Sequence, residues 1–180
     1  RLPRWIGDFS QLETLDISHN DLFALPAALG HLSNLRVLRA EGNKLQSLPN
    51  SFGELTRLEE AILLYNSIRK LPEIDKLQSL RVLDLFRNQL TALPASLYKL
   101  SALGRLHLQS NRLKTIEPAV GHLTRLRELN LGDNKLTQLP DSIGQLNKLE
   151  DLELYGNRLT ELPQTVSQLA SLRRLSLLRN

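Results

Sequence analysis

Four histidines are the residues of this sequence best suited to acid–base chemistry or metal binding: His19, His31, His107 and His122. Imidazole titrates near neutral pH and is a common zinc ligand. No Cys accompanies them, and His31 and His122 fall at the same exposed position of a repeat described below. A zinc site needs several donors that converge on one point, and a catalytic base needs a nucleophile within hydrogen-bond reach. The sequence therefore predicts neither a metal site nor a histidine-based catalytic site.

Nucleophilic and phosphate-binding motifs are also missing. Ser and Asp are scattered with no nucleophile elbow, and no glycine-rich phosphate loop occurs. We therefore expect no catalytic residues, no cofactor and no enzymatic activity. The net charge is +4, which invites a nucleic-acid interpretation. Because acidic residues are interleaved with basic ones throughout, a nucleic-acid partner is disfavoured.

One stretch recurs along the whole chain and must position every other residue. Its clearest copy runs from Leu126 to Leu136 and reads L-x-x-L-x-L-x-x-N-x-L. The Asn of this pattern recurs at steps of 23 residues, with a single step of 22. The eight copies of this Asn are Asn20, Asn43, Asn66, Asn88, Asn111, Asn134, Asn157 and Asn180. A fixed period of this length indicates a solenoid, in which each repeat buries its apolar face against its neighbours.

Each copy is expected to contain a short strand and a structural Asn. The L-x-L segment alternates apolar and polar residues, which is strand periodicity. Stacked copies would form a parallel sheet, with the Leu residues at the first, fourth and sixth positions pointing inward. The Asn side chain both donates and accepts hydrogen bonds, so it can satisfy backbone groups of the turn and of the neighbouring repeat.

The second half of each repeat reads L-x-x-L-P-x-x-L-G-x-L-x-x-L and leads away from the strand. Proline has a fixed φ and ends the strand pattern, and apolar spacing of three residues predicts short 3₁₀ or irregular turns. Glycine in these turns suggests either a positive φ or close packing. The glycines concerned are Gly7, Gly30, Gly53, Gly121 and Gly144. Two copies deviate: the copy at 71–77 is one residue short, and Pro118 comes one place late in its copy.

The full pattern, L-P-x-x-L-G-x-L-x-x-L-x-x-L-x-L-x-x-N-x-L, resembles the short, 23-residue class of leucine-rich repeats. It is similar to the repeats of intracellular Ras-pathway and Erbin-like scaffolds, of plant intracellular Ras-group proteins and of many bacterial leucine-rich-repeat proteins. The resemblance implies an α/β fold. This is a right-handed solenoid with a parallel β-sheet on its concave face and short 3₁₀ or irregular turns on its convex face. In that class the concave face commonly binds another protein, and no catalytic residues are carried over.

Residues 1–180 are predicted to form a single solenoid of about seven full repeats, with partial repeats at both ends. Because the chain begins and ends in mid-repeat, we expect it to be a fragment of a longer protein. It has no Cys and no Asn-x-Ser/Thr glycosylation pattern, which favours a reducing compartment, and we expect a cytoplasmic location. No apolar run approaches the ~20 residues that span a bilayer, so no membrane association is expected.

Outward residues of adjacent strands should form columns, because equivalent positions stack in a parallel sheet. The column after the first Leu largely alternates in charge and reads Glu13, Arg36, Glu59, Arg81, Gly104, Arg127, Glu150 and Arg173. We interpret this column as a surface ion-pair ladder. The residue after the repeat Asn is basic in three successive copies, at Arg112, Lys135 and Arg158. That edge is either a solvated basic surface or a contact for an acidic partner.

One part of the predicted sheet face is apolar where other copies are polar. Ile62, Leu64 and Tyr65 are expected to face outward or toward the exit turn, and the next copy adds Val82 and Phe86. An apolar centre with a polar rim has the anatomy of a protein-binding site. The predicted binding residues are Arg39, Ile62, Leu64, Tyr65, Phe86, Arg87 and His107, with Arg105 also at the rim. The alternative is that the apolar residues pack on one another or on a flanking domain.

These observations favour a non-enzymatic protein–protein interaction module that binds a protein partner on its concave face. A second interpretation is that the chain is the recognition domain of a larger enzyme, such as a kinase, a GTPase or a ubiquitin ligase. The sequence beyond Arg1 and Asn180 would separate the two interpretations.

Overall fold

Eight strands of three residues each form one parallel sheet in the computed structural model, which describes residues Arg1–Asn180. Their order in the sheet is their order in the chain. The strands are β1 (Thr14–Asp16), β2 (Val37–Arg39), β3 (Glu60–Ile62), β4 (Val82–Asp84), β5 (Arg105–His107), β6 (Glu128–Asn130), β7 (Asp151–Glu153) and β8 (Arg174–Ser176). Successive parallel neighbours with no skipped strand are the arrangement of a solenoid, which confirms the predicted architecture.

The middle residue of each strand points into the core, and its two neighbours point outward. In β2, Leu38 is fully buried, whereas the adjacent Arg39 is exposed. The register partners of Leu38 are Leu15 and Ala61, and both are buried. The alternation predicted from the L-x-L pattern is therefore confirmed. A strand this short presents only two outward residues, so the outward surface of the sheet is made of narrow columns.

The repeat Asn joins each repeat to the preceding one. The Nδ2 of Asn111 donates hydrogen bonds to the carbonyl oxygens of Leu85, at 2.9 Å, and Leu108, at 3.0 Å. Its Oδ1 accepts a hydrogen bond from the backbone N–H of Leu90 at 2.9 Å. Leu85 and Leu90 lie in the preceding repeat, and Leu108 lies in the same one. The structural role predicted for this Asn is confirmed.

A residue with a left-handed backbone conformation stands directly before every repeat Asn. The φ values lie between 49° and 65° at His19, Gly42, Tyr65, Arg87, Ser110, Asp133, Gly156 and Arg179. Glycine adopts this conformation without steric cost, whereas a Cβ makes it less favourable. Tyr65 and Arg87 are both predicted binding residues, and both therefore project from a backbone conformation that side chains rarely adopt.

Seven 3₁₀ helices form the convex side of the solenoid. They span Arg4–Asp8, Ala27–His31, Asn50–Glu54, Ala95–Lys99, Pro118–His122, Asp141–Gln145 and Gln164–Gln168. These helices confirm the short turns that the triplet spacing predicts. The copy at 71–77 forms no 3₁₀ helix, and Pro118 begins its helix, whereas proline directly precedes the other six.

Close packing explains the glycines of the convex side. A Cβ at Gly53 would lie 2.5 Å from the carbonyl oxygen of Glu73 in the next repeat. A Cβ at Gly30 would meet the carbonyl oxygen of Ser51 at the same distance. Neither glycine has a positive φ, so that part of the sequence-based expectation is wrong for these positions. The absence of a side chain lets successive convex turns approach each other closely.

The hydrophobic core is continuous along the solenoid and lies between the sheet and the convex turns. It contains 47 buried residues, most of them Leu from the repeat positions. Each repeat covers its neighbours along the solenoid, and the outward face of the sheet stays open. None of the helices combines the length and the apolar character that a membrane crossing requires.

Candidate protein-binding surface

The outward strand residues form columns across the concave face, and the register fixes which residues are neighbours. Ile62 pairs with Arg39 of β2 and with Asp84 of β4. Asp84 in turn pairs with His107 of β5. The structure thus places Arg39, Ile62 and His107 in one column, and Asp84 lies between the last two.

Ile62, Leu64, Tyr65 and Phe86 form what we call the apolar cluster of this face. Ile62 ends β3, Leu64 and Tyr65 follow it, and Phe86 follows β4. The backbone N–H of Tyr65 donates a hydrogen bond to the carbonyl oxygen of Phe86 at 2.9 Å. The two rings meet edge to face, with their centroids 5.0 Å apart and an interplanar angle of 67°. Aromatic pairs prefer this geometry, so backbone and side chains hold the two residues together.

The apolar cluster is only partly covered by the protein itself. Tyr65 is 45% exposed, and Ile62, Leu64 and Phe86 are half-buried. Val82 is expected from the sequence to join this outward group, but it is only 8% exposed and offers almost no surface to a partner. The surface that a partner can reach is therefore centred on the Tyr65 ring.

Arg87 lies over both rings of the apolar cluster. Its guanidinium carbon is 5.5 Å from the centroid of the Tyr65 ring and 5.6 Å from that of the Phe86 ring. Both distances suit cation–π attraction. Arg87 therefore extends the cluster, whereas sequence reasoning places it at the surrounding polar rim.

His107 is held between two carboxylates on the side of the cluster toward β6. Its Nδ1 lies 3.4 Å from Oδ2 of Asp84, and its Nε2 lies 3.3 Å from Oε2 of Glu128. The hydrogen bond to Asp84 raises the pKa of His107; burial opposes this effect, and the negative charges of Asp84 and Glu128 add to it. The other Asp84 oxygen accepts the backbone N–H of Phe86 at 2.9 Å. One carboxylate thus connects the imidazole to the aromatic part of the surface.

Arg39 and Arg105 are the exposed basic residues beside this arrangement. Arg39 ends β2 next to Ile62, and Arg105 begins β5 beside Val82. Both side chains are exposed to solvent. Together with His107, they give the apolar cluster a polar surround on two sides.

Tyr155, a third aromatic residue of this face, was missed by sequence reasoning. A Cβ placed on Gly132 would collide with the ring of Tyr155, so that ring lies over the glycine. Gly132 and Tyr155 occupy the repeat position that holds Leu64 and Phe86 in earlier copies. Burial is the main cause that raises the pKa of Tyr155, and the negative charges of Asp133 and Glu153 raise it further. The repeat position of Phe86 is therefore aromatic twice, and comparison along that column would have revealed it.

Two polar side chains flank the apolar cluster at this same repeat position. Glu41 precedes Leu64 in the column, and Gln109 follows Phe86. The Oε2 of Glu41 and the Oε1 of Gln109 are buried and have no hydrogen-bond partner within the chain. Buried polar atoms are usually paired, so these two acceptors are exceptions to the usual pairing.

The charged column beside the strands forms ion pairs, but in two separate groups. Glu59 pairs with Arg36 at 2.5 Å and more loosely with Arg81 at 4.0 Å. Glu150 pairs with Arg127 and lies 3.8 Å from Arg173. The predicted ladder is thus confirmed on both sides of Gly104. On the opposite edge, Arg112, Lys135 and Arg158 are exposed, as predicted.

Metal ions in a chain without Cys are held by His, Asp and Glu side chains. No set of three or more is arranged to bind one. His107, with its two carboxylate neighbours, is the nearest approach to such an arrangement, and its geometry is that of an ion-paired imidazole. This face presents apolar, hydrogen-bonding and charged groups.

A parallel sheet with short convex turns and an Asn in every repeat defines a leucine-rich-repeat solenoid. A family model described as "Leucine rich repeat" matches residues 78–136, 101–159 and 124–180, which together span more than half of the chain. A second model, described as "Leucine Rich Repeat", matches residues 11–32 and 34–55. The chain belongs to the leucine-rich-repeat family.

Solved leucine-rich-repeat structures share this fold. A leucine-rich-repeat protein of Leptospira interrogans is 38% identical, with a TM-score of 0.94 over 98% of this chain. The ectodomain of the Arabidopsis thaliana receptor kinase GASSHO1/SCHENGEN3, in complex with Casparian strip integrity factor 2, is 30% identical, with a TM-score of 0.79 over 100% of this chain. The plant peptide hormone receptor RGFR1, in complex with RGF2, is 25% identical, with a TM-score of 0.81 over 98% of this chain.

The matched structures are considerably longer than this chain. The alignments cover 45% of the Leptospira protein, 26% of the GASSHO1/SCHENGEN3 ectodomain and 37% of RGFR1. The chain therefore spans less than half the length of each of these structures. No curated protein matches it.

Proposed function

We propose that this protein is a non-enzymatic interaction module that binds a protein or peptide partner on its concave face. The binding residues are Arg39, Ile62, Leu64, Tyr65, Phe86, Arg87 and His107. One observation supports this proposal most strongly: the exposed Tyr65 ring, supported by the half-buried Phe86 and capped by Arg87, stands on a sheet face that is mostly polar.

The composition of the apolar cluster suits a binding centre. Tyr and Arg are enriched among the residues that contribute most to binding energy, and such residues lie near the centre of an interface. In the unbound protein, the Tyr65 ring is supported by Phe86 and Arg87, so little side-chain freedom remains to be lost on binding.

Two of the structurally similar proteins were solved with bound partners. The GASSHO1/SCHENGEN3 ectodomain is in complex with Casparian strip integrity factor 2, and RGFR1 is in complex with RGF2. Their likeness supports recognition of a protein or peptide by this solenoid. It also keeps open the second candidate function, a recognition domain within a larger enzyme, because GASSHO1/SCHENGEN3 is a receptor kinase. In both candidates the same concave surface makes the contact.

The test uses a peptide pool selected from a displayed random library on the wild-type chain. Binding of the selected pool is then measured on Tyr65→Ala and on Phe23→Ala. Phe23 is a matched control, because it is an exposed aromatic residue that lies outside the cluster. It also has a cation nearby: the Nζ of Lys44 lies 5.7 Å from the centroid of its ring. We expect Tyr65→Ala to weaken binding by about 30-fold or more, which corresponds to about 2 kcal/mol, and Phe23→Ala to have little effect. Binding that survives Tyr65→Ala but is lost in Phe23→Ala would refute the proposed surface.

A further inference from the structure

Gly104 leaves a gap in the charged column that runs beside the strands. Its neighbours at equivalent repeat positions are Arg81 and Arg127. These two arginines pair away from each other, Arg81 with Glu59 at 4.0 Å and Arg127 with Glu150. The acidic residue that alternation requires between them is missing, and we call this place the ladder gap.

The ladder gap is a cavity whose base is formed by small residues and whose sides are formed by cationic side chains. It has a volume of about 540 Å³. Ser79, Ala102 and Gly104 contribute short side chains or none, which leaves the space open. The walls include Arg81, Arg125, Arg127 and Lys148.

Arg127 is neutralised by Glu150, but the other three cations around the ladder gap, Arg81, Arg125 and Lys148, are poorly neutralised by the protein. Glu59 is the only carboxylate in the lining, and Arg36 engages it more closely, at 2.5 Å, than Arg81 does. Arg125 and Lys148 stack at equivalent positions of adjacent repeats, and neither takes part in an ion pair. Two unpaired cations at equivalent positions of adjacent repeats repel each other. An anion in the ladder gap would relieve that repulsion.

We propose that the ladder gap binds a phosphate group carried by a protein partner. Three of the four wall cations are arginines, whose planar guanidinium groups match phosphate oxygens with paired hydrogen bonds. A phosphorylated side chain brings a charge of about −1.5 to −2 and three acceptor oxygens, which suits several cations better than one carboxylate does. The site lies beside the strands, apart from the apolar cluster, and does not depend on the proposed function of that cluster.

Gly104→Glu is the most direct variant, because it would supply the missing acidic residue. A Cβ at Gly104 meets nothing closer than the carbonyl oxygen of Arg81 at 3.6 Å, and the residue has no positive φ, so a side chain fits without strain. By analogy with Glu59 and Glu150, the new carboxylate would lie between Arg81 and Arg127 and occupy the anion site. Gly104→Ala is the matched control, since it adds a side chain without charge.

The probe is a short peptide of alanine and glycine with one central phosphoserine. It is titrated into the complete 180-residue chain while backbone amide shifts are followed by NMR. We expect saturable shifts at Ser79, Ala102 and Gly104, an affinity at least about tenfold weaker for Gly104→Glu, and an affinity within about twofold of wild type for Gly104→Ala. Equal affinity of wild type and Gly104→Glu, or no saturable shift at these residues, would overturn the proposal.

Two further arms separate phosphate from other anions and protect the test against misfolding. The same peptide with glutamate in place of phosphoserine is expected to bind at least about tenfold more weakly, because it has fewer oxygens and less charge. Equal binding of the two peptides would overturn the phosphate assignment. If Gly104→Glu fails to fold, the Arg125→Ala/Lys148→Ala double variant replaces it, and unchanged phosphopeptide affinity in that variant would count against the site.

Discussion

The side-chain amide of Asn134 donates a hydrogen bond to the carbonyl oxygen of Leu108, one repeat earlier, across 2.9 Å. Its Oδ1 accepts the backbone N–H of Leu113, also in the preceding repeat, at 2.9 Å. Two further bonds, to the carbonyl oxygens of Leu131 and Gly132, fix the turn of its own repeat. One buried side chain therefore satisfies backbone groups of two repeats, and it helps to hold these adjacent repeats together.

Replacing Asn134 should therefore be costly. Asn134→Ala leaves the Leu113 N–H and the facing carbonyl groups unpaired, and we expect a loss of about 2–3 kcal/mol in the free energy of unfolding. Asn134→Asp should cost more, because a carboxylate oxygen would replace the donor that faces three carbonyl oxygens. Chemical denaturation measures both values. Asn147→Ala is the control, because Asn147 is exposed and its side chain makes no hydrogen bond. If Asn147→Ala lowered the free energy of unfolding as much as Asn134→Ala, the structural role assigned to Asn134 would be contradicted.

Gly53 and Gly104 form a matched pair for testing the close packing of the convex side. A Cβ at Gly53 would lie 2.5 Å from a backbone oxygen, whereas a Cβ at Gly104 would meet nothing closer than the carbonyl oxygen of Arg81, at 3.6 Å. We expect Gly53→Ala to destabilise the protein by about 1–3 kcal/mol through overpacking. Gly104→Ala should be neutral or should stabilise it by up to about 1 kcal/mol, since it restricts the unfolded chain. Thermal melts of the two variants give the comparison, and a Gly53→Ala protein as stable as wild type would contradict it.

The sequence predicted the repeat, the inward Leu positions and the role of the Asn. Each of these features recurs in eight copies, and each depends only on contacts within a repeat and with the adjacent repeats. The left-handed residue before each Asn was missed. Gly42 and Gly156 were the available signal, since they occupy that position in two copies. The other six copies carry ordinary side chains there, so composition alone hides the backbone constraint.

The binding surface could be predicted only in part. Ile62 lies in the column of Arg39 and Asp84, and Phe86 lies in the column of Leu64. Both columns follow from the repeat period, so the outward direction of these residues was foreseeable. The placement of Arg87 over the rings depends on a side-chain conformation, and that of Tyr155 over Gly132 depends on contact between two repeats. Neither arrangement can be read from spacing along the chain.

His107 should make stability depend on pH. The pKa of His107 is raised, mainly by the hydrogen bond to Asp84. The stabilisation that the protonated imidazole provides is therefore complete below the unfolded-state pKa of about 6.5. It is lost as the pH rises through the folded-state pKa. The stability advantage of wild type over His107→Gln should therefore shrink between about pH 6 and pH 8.5, by no more than about 1 kcal/mol for a pair this exposed. Denaturation at both pH values measures it. An advantage that grows with pH would show that His107 is stabilised in its neutral form.

Hydrogen exchange should be slowest in the central repeats of this chain. Leu85 and Leu108 are fully buried between neighbouring repeats, whereas Leu175 is 40% exposed in the last strand. Each repeat is stabilised mainly by its neighbours, so a repeat covered on one side opens more readily. Amide exchange followed by mass spectrometry on the 180-residue chain should show fast exchange in β1 and β8 and slow exchange in β4 to β6. Uniform protection along the chain would contradict this picture.

Stability measurements can decide whether the apolar cluster is a surface or part of the core. Leu85→Ala removes a fully buried side chain and should cost about 2–5 kcal/mol in the free energy of unfolding. Tyr65→Ala and Phe86→Ala remove partly exposed rings from the opposite side of the sheet, and each should cost less than about 1.5 kcal/mol, mostly through loss of their mutual contact. Because the two rings touch, the double variant should cost less than the sum of the single ones. Urea denaturation of the four variants tests the distinction. If either ring truncation destabilises the protein as much as Leu85→Ala, the cluster belongs to the core, and the apolar residues of the concave face are explained by folding without a partner.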